Sequence, residues 1–545
     1  MTEISGGEAV VRALRMDGVE YVFGLPGYHI MGIYDAFYNQ PDIRVITVRH
    51  EQTTAYMADG YARVSGKPGV ALVVPGPGVQ NASAALGTAF ACSSPVLLLA
   101  GQVERDNIGS DRGALHEIND QQDIIRPITK WRKRVLHLNG IPQAIQEAMR
   151  QMRTGRPRPT EVEMPPEALL EKGEVHFSAL TSVSPTSPDP QSIRSAAELL
   201  CGAHKPLIWA GGGTILAAAS NELTSLAEAL GAPVATTPEG KGIIPEDHPL
   251  SIGVGVYGHG SSTWASQEAD VILAVGTRLT GQMVGLNALR APQKLVHLDV
   301  DPSVIGKNYP AEIGILSDAR LGLGALAEEV RKLGARRDRW PEASLVDIRS
   351  KQDRWLSEKA PRQKELWSRM QRVLPDDTII VSGNTNMGYW GHYAYRAKKP
   401  RSYITSSYFA NLGYAFPVSL GAKVAAPDRP VVCVTGDGGF MFALSELATA
   451  VNYGINVIVI VFSDSAFGAT KDDQLTRFHG REVGTELNNP DFAELARVFG
   501  ANGMNVEPEK LDEAIEVALT NKGPTVIEVL VPTRVPPFHV NPRTE

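Results

Sequence analysis

Cysteine is scarce in this chain: only Cys92, Cys201 and Cys433 occur in 545 residues, far apart and with no CxxC pair. That excludes a disulfide framework, and each thiol lies in an apolar or small-residue stretch where thiols pack as small hydrophobes. A reducing compartment fits, so the chain reads as cytoplasmic. Long apolar runs are also missing. Nothing approaches the ~20 residues a spanning helix needs, and the first residues carry Glu3 and Glu8 rather than an apolar signal core. No membrane partner is expected. Positive charge is not in excess either: 53 Lys and Arg stand against 60 Asp and Glu, a net charge of −7. That argues against a nucleic-acid partner. The local basic run Lys130, Arg132, Lys133 and Arg134 reads as a solvated face.

What is present is ordinary globular composition, 43% hydrophobic and 21% charged. The length is too great for one core and predicts about three units. Short apolar segments at 21–24, 44–48, 69–74 and 95–101 alternate with helical stretches, the pattern of a buried parallel sheet. A Ser/Thr/Pro-rich stretch at 178–190 reads as a linker. A second block follows, with strands at 206–210, 271–275 and 294–298. A looser charged region at 336–362 leads to a third block with strands at 378–381, 431–435, 457–462 and 525–529. The expected fold class is α/β, in three domains at 1–177, 190–335 and 363–545, each a parallel sheet flanked by helices.

The segment richest in chemistry is Gly436-Asp437-Gly438-Gly439, directly after the strand at 431–435. A helix and a second apolar strand follow, ending at Ser463-Asp464-Ser465-Ala466-Phe467-Gly468. This is one βαβ unit with a glycine-rich turn at a strand's carboxyl end, where open α/β sheets bind ligands. Glycines let backbone N–H groups approach a diphosphate, and the next helix N-terminus favours its charge. Asp437 and Asp464 at two strand ends suit Mg²⁺, which takes few protein ligands plus phosphate oxygens. A structural turn with two solvated aspartates is the alternative. A second segment, Arg49-His50-Glu51, ends the strand at 44–48 and opens a helix. Glu51 is either a helix N-terminal charge or a functional carboxylate.

Together these segments resemble the thiamine-diphosphate-dependent enzymes, in particular acetolactate-synthase-type large subunits, with similarity also to benzaldehyde lyase. Gly24-Leu25-Pro26-Gly27, Gly76-Pro77-Gly78, Gly101-Gln102-Val103, Gly276-Thr277-Arg278 and Asp299-Val300-Asp301-Pro302 extend the likeness along the chain. The resemblance implies a pyrimidine-binding domain, a central Rossmann-like domain and a diphosphate-binding domain, in that order. It implies that Glu51 hydrogen-bonds the cofactor's pyrimidine and promotes the tautomer that removes the thiazolium C2 proton, so that the carbanion attacks a carbonyl. Asp437, Asp464 and the carbonyl of Ala466 would be the Mg²⁺ ligands, with Ser463-Asp464 standing where the family usually has Asn-Asn. Gly27, Gly78, Asn384, Thr385, Asn386, Gly436, Gly438, Gly439, Phe467 and Gly468 would contact the cofactor, and Leu412 would keep it bent. His29, which resembles a histidine of benzaldehyde-lyase-like members, and His116, where that group has a substrate-contacting glutamine, are the candidates for proton handling.

The implied activity is decarboxylation of a 2-oxo acid with carboligation. Cleavage of 2-hydroxy ketones or 2-hydroxyacyl-CoA thioesters, or a non-catalytic role, stays open. Acetolactate synthases carry tryptophan where this chain has Asp473, so the segment that shapes the acceptor pocket differs. In the central domain, Gly211-Gly212-Gly213, Gly258-His259-Gly260 and Arg278 fit FAD or another nucleotide. They fit purely structural turns as well, and Leu279-Thr280-Gly281-Gln282 departs from the family pattern. The substrate would be a small 2-oxo acid, aldehyde or ketone. The family arrangement is a homodimer or homotetramer with Glu51 and Asp437 meeting across an interface.

Overall fold

A computed structural model describes residues 3–178, 183–280, 294–334 and 339–540. Part of the expected linker (179–182), Gly281 and Gln282, and the start of the charged connector (336–338) lie outside the described residues. Among the described residues, three six-stranded parallel sheets organise the chain. The first holds β1 (Tyr21–Gly24), β2 (Arg44–Thr47), β3 (Gly69–Val73), β4 (Val96–Gly101), β5 (Trp131–Arg134) and β6 (Thr160–Met164). The second holds β7 (Pro206–Ala210), β8 (Val234–Thr236), β9 (Ser251–Val254), β10 (Val271–Val275), β11 (Lys294–Asp299) and β12 (Ile313–Leu316). The third holds β13 (Ile379–Ser382), β14 (Tyr403–Ile404), β15 (Val431–Gly436), β16 (Ile458–Ser463), β17 (Asn502–Val506) and β18 (Thr525–Leu530).

The first sheet is ordered β2-β1-β3-β4-β6-β5 and the third β14-β13-β15-β16-β18-β17, the same topology twice. The second is ordered β9-β8-β7-β10-β11-β12, a doubly wound sheet that reverses direction between β7 and β10. Central strands such as β3, β4 and β16 are buried throughout, which is why they read as continuous apolar runs.

One hydrophobic core runs through the first and third sheets, joining Tyr56, Met57 and Val79 to Phe416, Val418 and Phe440. Its centre is the crossing of helices Glu51–Ser65 and Ala415–Ala425. They approach so closely that a Cβ on Gly60 would lie 2.1 Å from the Val418 carbonyl oxygen, and one on Gly421 2.0 Å from that of Met57. Glycine is required at both positions. The helix carrying Glu51 is thereby fixed to the diphosphate half of its own chain.

Two expectations change. The charged connector contains a full helix, Glu342–Lys359, which buries Leu345, Ile348, Trp355 and Leu356 on a narrow stripe. Its wide polar face hid the periodicity. The basic run is not a solvated face: Lys130 donates to the carbonyls of Gln151 and Arg156, and Arg134 reaches the buried Glu163. No described helix is long and apolar enough to cross a membrane.

Candidate active site

The carboxyl ends of β13, β15, β16 and β18 open onto one cavity. Its walls include Asn384, Thr385, Asn386, Leu412, Gly436, Asp437, Gly438, Gly439, Asp464, Ala466, Phe467 and Gly468, all the third-block residues expected to meet cofactor or metal; Asp473 is not among them. Three helices begin there: Asn386–Ala394 after Thr385, Asp437–Met441 after Gly436, and Gly468–Arg477 after Phe467. None has a side-chain cap. Their first-turn N–H groups, of which Gly438 N is taken by Asp437, and their positive dipole ends therefore face shared space, a favourable setting for a diphosphate.

The two aspartates sit within this ring. Asp437 is 2% exposed. Its Oδ1 accepts from Gly438 N at 2.8 Å, and its Oδ2 accepts from Ser465 N and Asn489 Nδ2, each at 2.7 Å, and from Ser463 Oγ at 3.3 Å. Ser463, which replaces the first asparagine of the usual pair, thus steadies Asp437. Burial raises the pKa of Asp464, and the charge of Asp437 adds to the rise. Neither carboxylate forms an ion pair among the described residues, so a divalent cation suits the donor set. Gly468 makes room for Asp464: a Cβ there would lie 2.6 Å from Asp464 Oδ2. The side chains of Asn384 and Asn386 are already engaged, by Asn411 O and Ser406 Oγ and by Gln363 Nε2 and Arg534 O. The backbone N–H groups and Thr385 are the freer donors for a ligand.

The remaining candidates gather at the carboxyl ends of the first sheet. Glu51 opens helix Glu51–Ser65, and its Oε2 accepts from Asn81 Nδ2 at 3.0 Å. His29 lies in the turn after β1, 1% exposed, with neither ring nitrogen hydrogen-bonded. Its ring lies 5.2 Å from that of His116. Burial lowers the His29 pKa, and the neighbouring His116 lowers it further. Gly27 and Gly78 flank Val74 and clear space for it. No described residue before Arg362 lines the third-sheet cavity, and Glu51, His29, His116, Gly27 and Gly78 are not in it within one chain.

A second cavity, of ≈ 260 Å³, lies at the switch point of the central sheet. Gly212, Gly213, Gly276, Arg278 and Asp299 line it together with Arg156 of the first block. Burial, with Arg278 and Arg158 nearby, pushes Arg156 down to about 10. Burial pushes Asp299 up to about 6.

Reasoning from sequence did not find Asn489, Asn81 or Gln363. The Asn488-Asn489 doublet was a usable signal for the first; the other two carry none in sequence.

A doubly repeated α/β sheet with a diphosphate-shaped cradle defines a cofactor enzyme. The model for the thiamine pyrophosphate enzyme N-terminal TPP binding domain matches residues 4–124, that for the central domain 193–326, and that for the C-terminal TPP binding domain 382–529. A probable acetolactate synthase large subunit of Methanocaldococcus jannaschii is 34% identical over 97% of this chain and 92% of its own length. A probable 2-ketoarginine decarboxylase of Pseudomonas aeruginosa is 35% identical over 96% and 94%. The acetolactate synthase isozyme 3 large subunit of Escherichia coli is 34% identical over 96% and 94%. The chain belongs to the thiamine-pyrophosphate-dependent enzyme family. It is a thiamine-diphosphate-dependent carboligase or decarboxylase that forms or cleaves carbon–carbon bonds.

Proposed function

We propose that the third-sheet cavity holds thiamine diphosphate with Mg²⁺ and that the enzyme decarboxylates a 2-oxo acid and joins the product to a second carbonyl. The observation that carries this is the convergence of three helix starts without side-chain caps on two carboxylates that form no ion pair among the described residues. Asp437, Asp464 and the carbonyl of Ala466 would hold the metal. Thr385, Gly436, Gly438, Gly439, Phe467 and Gly468, with Asn384 and Asn386, would surround the diphosphate, and Leu412 would support the ring system. When bound, the cofactor would supply a nucleophilic carbon that adds to the substrate carbonyl and a cationic ring that takes up the electron pair released as the substrate's carbon–carbon bond breaks.

Glu51, oriented by Asn81, exchanges a proton with the pyrimidine ring nitrogen. His29, whose pKa burial lowers, and His116 beside it take up and return the substrate hydroxyl proton. We take the assembly to be a homodimer, or a homotetramer built from it, with Glu51 of one chain serving the cavity of another. In support, no described first-block residue lines the cavity wall, while Tyr28, Leu115 and Phe442 stay exposed beside the two half-sites. The domain division at 1–177, 190–335 and 363–545 and a cytoplasmic location, suggested by the three free thiols, complete this reading.

Asp473 pairs with Arg477 at 3.0 Å and lies 3.6 Å from His539. With an acid at this position, the acceptor and donor need not be those of acetolactate synthases. A second reading is favoured by the central cavity. The Arg156, Arg158 and Arg278 cluster at a switch point suits FAD or another nucleotide, including the nucleotide end of a hydroxyacyl-CoA thioester. The test is product analysis with pyruvate, 2-ketoarginine, benzoin and a hydroxyacyl-CoA, beside thermal melts with cofactor and Mg²⁺. The first reading expects turnover of a 2-oxo acid and a melting temperature raised by cofactor and metal together. Turnover of the thioester alone would favour the second reading, and no turnover and no shift would remove both.

A further inference from the structure

The first-sheet half of the site has its own internal brace. Gln121 is 1% exposed and begins helix Gln121–Ile125. Its Oε1 accepts from Gly76 N at 2.9 Å, just beyond β3. Its Nε2 donates to Gly101 O at 3.0 Å, at the end of β4, and to Glu163 Oε2 at 2.8 Å, on β6. One side chain therefore ties three adjacent strand ends together. Glu163, fully buried, is held from its other oxygen by Arg134, which also reaches Asp120, the cap of the helix that carries Gln121. The brace is anchored at both ends.

The two backbone points it fixes are those against which the histidines rest. Gly76 has φ +58, and a Cβ there would lie 2.3 Å from the His116 carbonyl oxygen. His116 is itself left-handed, at φ +66, so its segment has little freedom to adjust. A Cβ on Gly101 would lie 3.1 Å from His29 Cβ. Any change in the Gly76–Gly101 spacing moves the two imidazoles relative to each other. Neither ring nitrogen of His29 has a hydrogen bond that would hold it otherwise.

We propose that Gln121, backed by Glu163, is a positioning residue that sets the spacing of the His29–His116 pair. This rests on the proton-handling role proposed for those histidines. Gln121 touches neither substrate nor cofactor; it acts through the strand ends. The chemistry most sensitive to it is the proton transfer, because misplacement by about 1 Å costs up to about a hundredfold in rate.

The experiment compares Gln121→Met, similar in size but unable to make the three bonds, with Glu163→Gln, which keeps an oxygen for Gln121 to donate to. Steady-state kinetics are read with whichever substrate the wild type turns over. Gln121→Met is expected to lower kcat by about tenfold or more, with KM and cofactor affinity within about twofold of wild type. Glu163→Gln, which keeps the acceptor for Gln121 but loses the charge that faces Arg134, is expected to lower kcat less than Gln121→Met does; a larger fall than in Gln121→Met would overturn the assignment to Gln121. If Gln121→Met does not fold, Gln121→Asn, whose amide falls one methylene short, is expected to show the same split. Wild-type kcat in the Gln121 variant, or a change confined to KM, overturns the proposal. His29→Phe and His116→Phe are measured alongside. If both keep wild-type kcat, the proton-handling reading fails; if they lose activity while the Gln121 variant keeps it, only the positioning role fails.

Discussion

The carboxylate of Glu446, from the third sheet's helical layer, accepts the backbone N–H of His50 at 3.0 Å, directly before Glu51. It also accepts from Arg49 N at 3.1 Å and from Thr449 Oγ1 at 2.6 Å. Gln52 Nε2 donates in turn to Phe442 O at 3.0 Å. The strand end that presents Glu51 is thus built from both halves of the chain. Removing the carboxylate leaves two part-buried donors unpaired, at about 1–3 kcal/mol each. Glu446→Ala is expected to lower the melting temperature and to reduce kcat through displacement of Glu51. A variant with unchanged melting and turnover would show the contact to be dispensable.

The glycine crossing beneath it tolerates no side chain. Gly421→Ala would put a Cβ 2.0 Å from a backbone oxygen that has no rotamer to escape into. Helix separation should cost about 3 kcal/mol or more, seen as a lower denaturation midpoint. Gly18, where nothing lies within 4 Å, is the matched control for added volume, although its φ of +75 adds some strain of its own.

Asn489 holds Asp437 Oδ2 from a loop far along the chain. Asn489→Leu should weaken Mg²⁺ binding by about ten- to a hundredfold without unfolding the protein, the usual effect of removing an outer partner of a metal carboxylate. Titration of cofactor-loaded enzyme with Mg²⁺ reads this directly. Unchanged affinity would mean that Asp437 is oriented well enough by Ser465 and Gly438.

These contacts mark what sequence reading reaches. The unit from β15 to Phe467 was legible because its glycines, aspartates and strands are contiguous, and Glu51 because a strand end and helix start flank it. The partners were not. Asn81, Gln121 and Glu446 act at a distance in sequence, and nothing in their immediate neighbours distinguishes them from surface polar residues; Asn489 carried only the signal of the Asn488-Asn489 doublet. The helix Glu342–Lys359 was missed for a related reason: its four buried apolar residues are diluted by charge. The three-way bonding of Gln121 depends on a sheet order that brings β6 beside β4.

Burial pushes His392 from its ordinary 6.5 down to about 3, with Lys241 adding to the fall. A depressed folded pKa means that the unfolded chain takes up the proton first. The stability contributed by neutral His392 is full above pH 6.5 and is lost as pH falls towards 3. The loss is about 1.4 kcal/mol per pH unit below the upper value. His392→Gln should flatten the acid side of the melting-temperature profile. An unchanged profile would assign acid sensitivity to other groups.

The central claim is that Glu51 of one chain completes the Asp437 cavity of another. Glu51→Gln and Asp437→Ala are each expected to be inactive alone. Co-expressed with different tags and isolated as the mixed dimer, they leave one site with both defects and one with neither. The mixed dimer should then show about half the wild-type activity. A mixed dimer as inactive as its parents would place both groups in a site within one chain and contradict the account.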